Sequence, residues 1–153
     1  MKIIFLDVDG VLNCATTKER VRDLLFVEDC KVQLLKELVD ETGATIILSS
    51  TWRFGFENPE IYPELLEFEN KLAQFGLFIE GSTPVDARGY RGKEIDEWLK
   101  AHADEVESFV ILDDDNDMKP WGSHLVKTSW AKGLQPNHIR AAKKILNERV
   151  EIK

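Results

Sequence analysis

The chain opens on a short apolar stretch. Residues 2–8, KIIFLDV, are apolar except for Lys2 and Asp7, and the run is too short for a helix, so it predicts a buried strand. Over 31–42, Val32, Leu35 and Val39 share one stripe, with Leu34 and Leu38 beside it. That spacing predicts an amphipathic helix, which Gly43 terminates. ATIIL over 44–48 is apolar and β-branched and predicts a second strand. A helix follows Pro63, turns Leu65, Phe68, Leu72 and Phe75 inward and ends at Gly76; GLFIE over 76–80 then reads as a third strand. Ile95, Trp98, Leu99 and His102 stand at i, i+3, i+4 and i+7 within a helix over 93–102. SFVIL over 108–112 is a fourth strand and HLVKT over 124–128 a weaker fifth. Pro136 sits where a first helical turn tolerates proline, and Ile139, Ala142 and Leu146 supply the stripe of a last helix.

Strands alternating with helices imply parallel pairing through helical crossovers. The expected fold class is α/β: a three-layer, Rossmann-like parallel sheet of about five strands with helices on both faces. The 153 residues match one domain of roughly 150, so residues 1–153 are expected to form a single unit. The sequence shows no internal repeat, low-complexity tract or linker. The longest loop candidates, 53–63 and 81–92, both follow strands. In such sheets ligands bind beyond the carboxyl ends of the strands, at the point where strand order reverses.

Composition narrows the classes further. Hydrophobic residues make up 43% and charged residues 31%, a balance that excludes a disordered tail. No apolar run approaches the roughly 20 residues of a membrane span, and the leader-like start MKIIFL stops at Asp7. With 28 acidic and 20 basic residues the net charge is -8. An acidic body repels phosphate backbones at long range, so general binding to duplex nucleic acid is not expected, although a local basic site is compatible. Cys14 and Cys30 fall in no metal-binding spacing and read as reduced thiols of a cytoplasmic protein.

The chemistry gathers at the strand ends. The first strand runs into Asp7, Val8, Asp9 and Gly10, the second into Ser49, Ser50, Thr51, Trp52 and Arg53, and the fourth into Asp113, Asp114, Asp115, Asn116 and Asp117. Arg88, Arg91 and Lys93 precede or open the third helix. Parallel pairing brings these groups to one edge. Carboxylates crowded together raise one another's pKa or demand a cation, and a hard ion with oxygen ligands, Mg²⁺, suits them. A carboxylate beside such an ion can attack phosphorus, while the ion and a lysine stabilise the charge on the transferring phosphoryl group.

Each group also has a plainer reading. Asp7 and Asp9 fit a turn, but an acid ending an apolar strand is costly to bury without a partner. Ser49 and Ser50 fit helix caps. Lys93 fits a solvated helix face, and residues 113–117 fit a solvated loop. Arg53, Arg88 and Arg91 are either surface cations or ligands for a substrate phosphate or carboxylate. Trp52 and Trp121 are read as packing residues before stacking partners for a base. His102 lies on an apolar stripe, and His124 and His138 have no partner spacing.

DVDGVLN resembles the first motif, DxDGx, of the haloacid dehalogenase (HAD) superfamily of phosphohydrolases. ILSS resembles the second motif, Lys93 in RGKEIDEWL the third, and ILDDD the fourth. All four stand in the family's order and span residues 3 to 114. The finer texture LSSTWR, RGKEIDEWL and ILDDD is similar to the phosphatase domains of RNA-repair proteins of the polynucleotide kinase-phosphatase kind. The resemblance implies a Mg²⁺-dependent phosphomonoester hydrolase that forms an aspartyl phosphate on Asp7. Asp9 is then general acid and base, and its backbone carbonyl touches the metal. Ser49 holds the phosphoryl group, with Ser50 as the alternative. Lys93 neutralises the nucleophile. Asp114 is a direct metal ligand, with Asp113 direct or through water; Asp113 with Asp117 is the other register. The implied substrate is a small phosphorylated molecule, a nucleotide or a nucleic-acid phosphate end.

Superfamily members often carry a lid domain. Residues 10–30 are too few for one and are expected to form a flap, so the resemblance implies little or no cap. An open site admits a macromolecular end or calls for an oligomeric partner to close it, and the oligomeric state is left open. The alternative function is a noncatalytic phosphate- or metal-binding module on the same scaffold. A signalling receiver domain fits worse: it accepts phosphate on an Asp ending its third strand, and that strand here ends in Ile79, Glu80 and Gly81.

Overall fold

The computed structural model describes residues 1–152. Its strands are β1 (Lys2–Leu6), β2 (Arg20–Val21), β3 (Leu24–Leu25), β4 (Thr45–Leu48), β5 (Ile79–Ser82), β6 (Ser108–Asp113) and β7 (Leu125–Lys127). Its α-helices are α1 (Asp29–Thr42), α2 (Glu64–Gln74), α3 (Arg91–Ala101) and α4 (Pro136–Leu146). Five strands form one parallel sheet in the order β5-β4-β1-β6-β7. The sheet is therefore laid down outward in both directions from β1, and the reversal point lies at β1.

Side chains alternate across the pleat and define two cores. Ile4, Leu6, Ile46, Leu48, Val110 and Leu112 face one side, where the inward stripes of α1, α2 and α4 cover them. Ile3, Phe5, Ile47, Phe109 and Ile111 face the other, against Ile95, Trp98 and Leu99 of α3. With both faces buried, the central strands read as nearly continuous apolar runs. Gly43 closes α1 with φ of 70°, in the left-handed region.

Three elements depart from the sequence expectation. The third strand lies at Ile79–Ser82, not at 76–80. Leu77 is buried before the strand begins, Phe78 is exposed, and the real edge strand carries Glu80 and Ser82. The third helix starts at Arg91, two residues before the expected start, and His102 caps its end with its ring stacked on Trp98 at 3.9 Å. The flap contains a small antiparallel hairpin, β2–β3, and no cap domain.

A strap near the end of the chain braces the turn after β1. The Thr128 hydroxyl donates to the Gly10 carbonyl at 2.6 Å. The Leu134 N–H donates to Val11 and the Ala15 N–H to Trp130, both at 2.8 Å.

Candidate active site

Register builds the site. Leu6 pairs with Leu48 on one side and Leu112 on the other, so the next residues, Asp7, Ser49 and Asp113, share one row at the carboxyl edge. The Asp7 N–H donates to Leu112 O at 3.0 Å and the Ser49 N–H to Leu6 O at 2.9 Å. Asp7, Asp113 and Asp114 each offer a carboxylate oxygen, all within 4.8 Å of one another. Gly10 permits this approach. Its φ is 82°, and a Cβ there would lie 2.2 Å from an Asp114 carboxylate oxygen.

Crowding shows in the acidity. Burial, then the Asp113 charge, pushes Asp7 up to about 8, against the pull of Arg91. Burial likewise pushes Asp113 up to about 6, again opposed by Arg91. Three oxygen donors that resist simultaneous ionisation fit a hard divalent cation such as Mg²⁺, whose charge relieves the repulsion. Asp117 stands outside this cluster. Its carboxylate lies 3.5 Å from the Arg91 N–H and its carbonyl accepts from the Gly92 N–H, so it serves the start of α3.

Asp9 also stands outside the three-carboxylate cluster. Asn13 Nδ2 donates to one of its oxygens at 2.9 Å and Trp52 Nε1 to the other at 3.2 Å. The second acid of the pair is thus held at an exposed position beside the buried first one.

The cation that reaches Asp7 is Arg91. Its Nη1 lies 3.4 Å from Asp7 Oδ1 and 2.6 Å from Asp113 Oδ2. Burial works against the Arg91 charge, but Asp7, Asp113, Glu94 and Asp117 outweigh it and hold its pKa above the usual value. Lys93 does not take the place expected of it: it is 54% exposed and pairs with Asp86 at 3.2 Å. Positions two apart on a helix lie about 200° apart around its axis, so Arg91 and Lys93 leave α3 on different faces.

The two serines divide their tasks. Ser50 Oγ accepts from the Trp52 N–H at 3.2 Å and caps the 3-10 turn Thr51–Phe56. Ser49 Oγ is buried with no hydrogen-bond partner among the described residues. An orphaned hydroxyl in the row of Asp7 is a group awaiting an acceptor.

Arg53, expected at the open edge, points inward. Its guanidinium donates to the carbonyls of Ser49, Ser50 and Thr83 and pairs with Glu94 at 2.9 Å, both side chains being 4% exposed. Every strong acceptor around it is protein, so it is a clamp on the strand-end loops and has no free donor face for substrate. Arg88 is exposed, and its N–H donates to Asp86. Trp121 packs edge-on against Phe109 and donates to Asp96 at 3.0 Å. His124 stacks on the same Phe109 ring, and the half-buried His138 completes the cap of α4.

Sequence reasoning missed Asn13 and Glu94. Asn13, three residues after Gly10, also accepts from the Gly10 N–H. The DGxxN spacing of a turn that folds back on itself was the available signal. Glu94 carried no signal: it stands among charged residues on a helix start, and only the fold reveals its burial.

A family described as the HAD domain in Swiss Army Knife RNA repair proteins matches residues 3–139. No curated protein matches the chain.

Proposed function

The chain therefore belongs to the HAD domain family of Swiss Army Knife RNA repair proteins, and on that premise we propose that it is a Mg²⁺-dependent phosphatase acting on phosphorylated ends of nucleic acid. The observation that carries the reading is the convergence of Asp7, Asp113 and Asp114, with the carboxyl of Asp9 held separately beside them.

In the first step an Asp7 oxygen attacks phosphorus and the bond to the leaving oxygen breaks. Asp9 gives its proton to that oxygen, so an alcohol departs and a phosphoryl group stays on Asp7. In the second step Asp9 takes a proton from water, the water oxygen attacks phosphorus, and inorganic phosphate leaves Asp7 free. Asp7, Asp113 and Asp114 would hold Mg²⁺, and a bound ion would supply positive charge to the nucleophile and to the phosphoryl group. Arg91 adds fixed positive charge beside Asp7, which favours its ionised, attacking form. Ser49 Oγ offers its unused hydrogen bond to a phosphoryl oxygen. The lack of a cap leaves the edge open to an extended substrate, which supports a polymer end over a small metabolite.

The test is hydrolysis of 5′- and 3′-phosphorylated oligonucleotides with and without Mg²⁺. Turnover is expected only with the ion, Asp7→Asn should abolish it, and Asp9→Asn should lower it by about 10²–10⁴. Metal-dependent turnover that survives Asp7→Asn rejects the nucleophile, and no turnover of any phosphomonoester rejects the phosphatase reading.

A further inference from the structure

The cavity beside the site is lined on one side by Asp9 itself. It measures about 390 Å³, and its other walls include Leu24, Trp52, Phe54, Tyr62 and Glu64. That size lies at the low end for small-molecule pockets, too small for a folded partner. Leu24 comes from the flap hairpin, Trp52 and Phe54 from the 3-10 turn after β4, and Glu64 from the first turn of α2.

We infer that this cavity is the leaving-group pocket, and that it takes one uncharged nucleoside, the terminal unit of a phosphorylated nucleic-acid strand. The inference rests on the phosphatase reading above and specifies its substrate side. The proton that Asp9 delivers goes to the leaving oxygen, so the group bearing that oxygen lies next to Asp9. Besides Asp9, the ionisable acid in the wall is the carboxylate of Glu64. Among the described residues no cation pairs with Glu64. With Asp9 holding the proton it delivers, the Glu64 carboxylate is the group that repels a phosphate and accepts hydrogen-bond donors, which ribose hydroxyls and base amines supply.

The remaining walls are the hydroxyl-bearing Thr51 and the aromatic or aliphatic Leu24, Trp52, Phe54 and Tyr62. Tyr62 is 36% exposed and its ring leans on Phe54 at 6.0 Å, leaving a face for a flat ligand. Trp52 forms a fixed floor, stacked on Phe26 and edge-on to Phe68. Its indole N–H also holds Asp9, so the wall against the leaving group and the acid that protonates it are one rigid piece. Stacking on such a face tolerates any base, which suits an end-processing activity without sequence preference.

The experiment compares an oligonucleotide bearing a terminal phosphate with glycerol phosphate, whose leaving group has no aromatic ring. Tyr62→Ala should lower kcat/KM for the oligonucleotide about tenfold more than for glycerol phosphate, and Tyr62→Phe should restore the native value. An equal fall on both substrates, or no fall on either, overturns the inference. Saturation-transfer NMR with the four ribonucleosides separates this from the phosphatase reading. Transfer to the nucleosides is expected in the native protein and Tyr62→Phe and should vanish in Tyr62→Ala, even if no substrate is turned over. Native protein that binds none of the four, or binds them as well in Tyr62→Ala, overturns the pocket while leaving phosphatase activity to its own assay.

Discussion

Arg91 and Lys93 both open α3, yet one meets two carboxylates of the site and the other meets Asp86. Arg91→Ala is therefore expected to lower kcat by about 10²–10³, the cost of removing one charge aimed at a transition state, while Lys93→Ala stays within a few-fold. Steady-state kinetics on a phosphorylated oligonucleotide decides between them. The sequence did not separate these two because a helix start is legible only to within a turn, and a shift of two residues reverses the face. The acids were legible for a different reason. Asp7 and Asp113 each end a run of apolar residues, and an acid in that place demands an explanation. Their crowding also predicts a pH effect. The pKa of Asp7 rises from 3.8 to about 8 in the metal-free folded protein, so between those values the folded chain keeps a proton that the unfolded chain has lost. Stability then falls as pH rises through this window. Calorimetry of metal-free protein should show the midpoint falling from pH 5 to pH 8, Asp7→Asn should flatten the fall, and added Mg²⁺ should raise the midpoint most at pH 8.

At the scale of elements, the Arg53–Glu94 pair ties the 3-10 turn after β4 to α3, and the Asp86 N–H joins it by donating to Glu94 at 2.8 Å. Glu94→Ala leaves a buried guanidinium without its counter-charge, a loss of about 3–5 kcal/mol. The denaturation midpoint should drop by roughly 10 °C, read by circular dichroism, whereas Lys93→Ala should leave it near the native value. Most element positions were visible from periodicity alone, since α1, α2, α4 and the central strands bury the stripes their spacing shows. The edge strand β5 was not. Its own residues, IEGS, carry little apolar signal, while the apolar Leu77 and Phe78 precede it, one packing under the sheet and the other facing outward. The hairpin β2–β3 was invisible because two-residue strands have no period to read.

The whole molecule follows from β1 standing in the middle of a parallel sheet. Alternation of strands and helices was enough to expect this architecture, and the architecture was enough to expect the acids on one edge. What the sequence withheld was which groups turn inward once there, as Arg53 does, because that depends on partners arriving from distant segments. The brace formed by Thr128, Trp130 and Leu134 on the turn after β1 has a temporal consequence. Translation proceeds from the amino terminus, so Asp7 is made more than a hundred residues before the segment around 128–134 whose hydrogen bonds fix the loop behind it. A nascent polypeptide released before residue 128 should hold Asp7 without the fixed loop and show no hydrolysis, while one released after residue 146, with α4 complete, should be active; stalled chains of graded length would time the moment at which catalysis switches on.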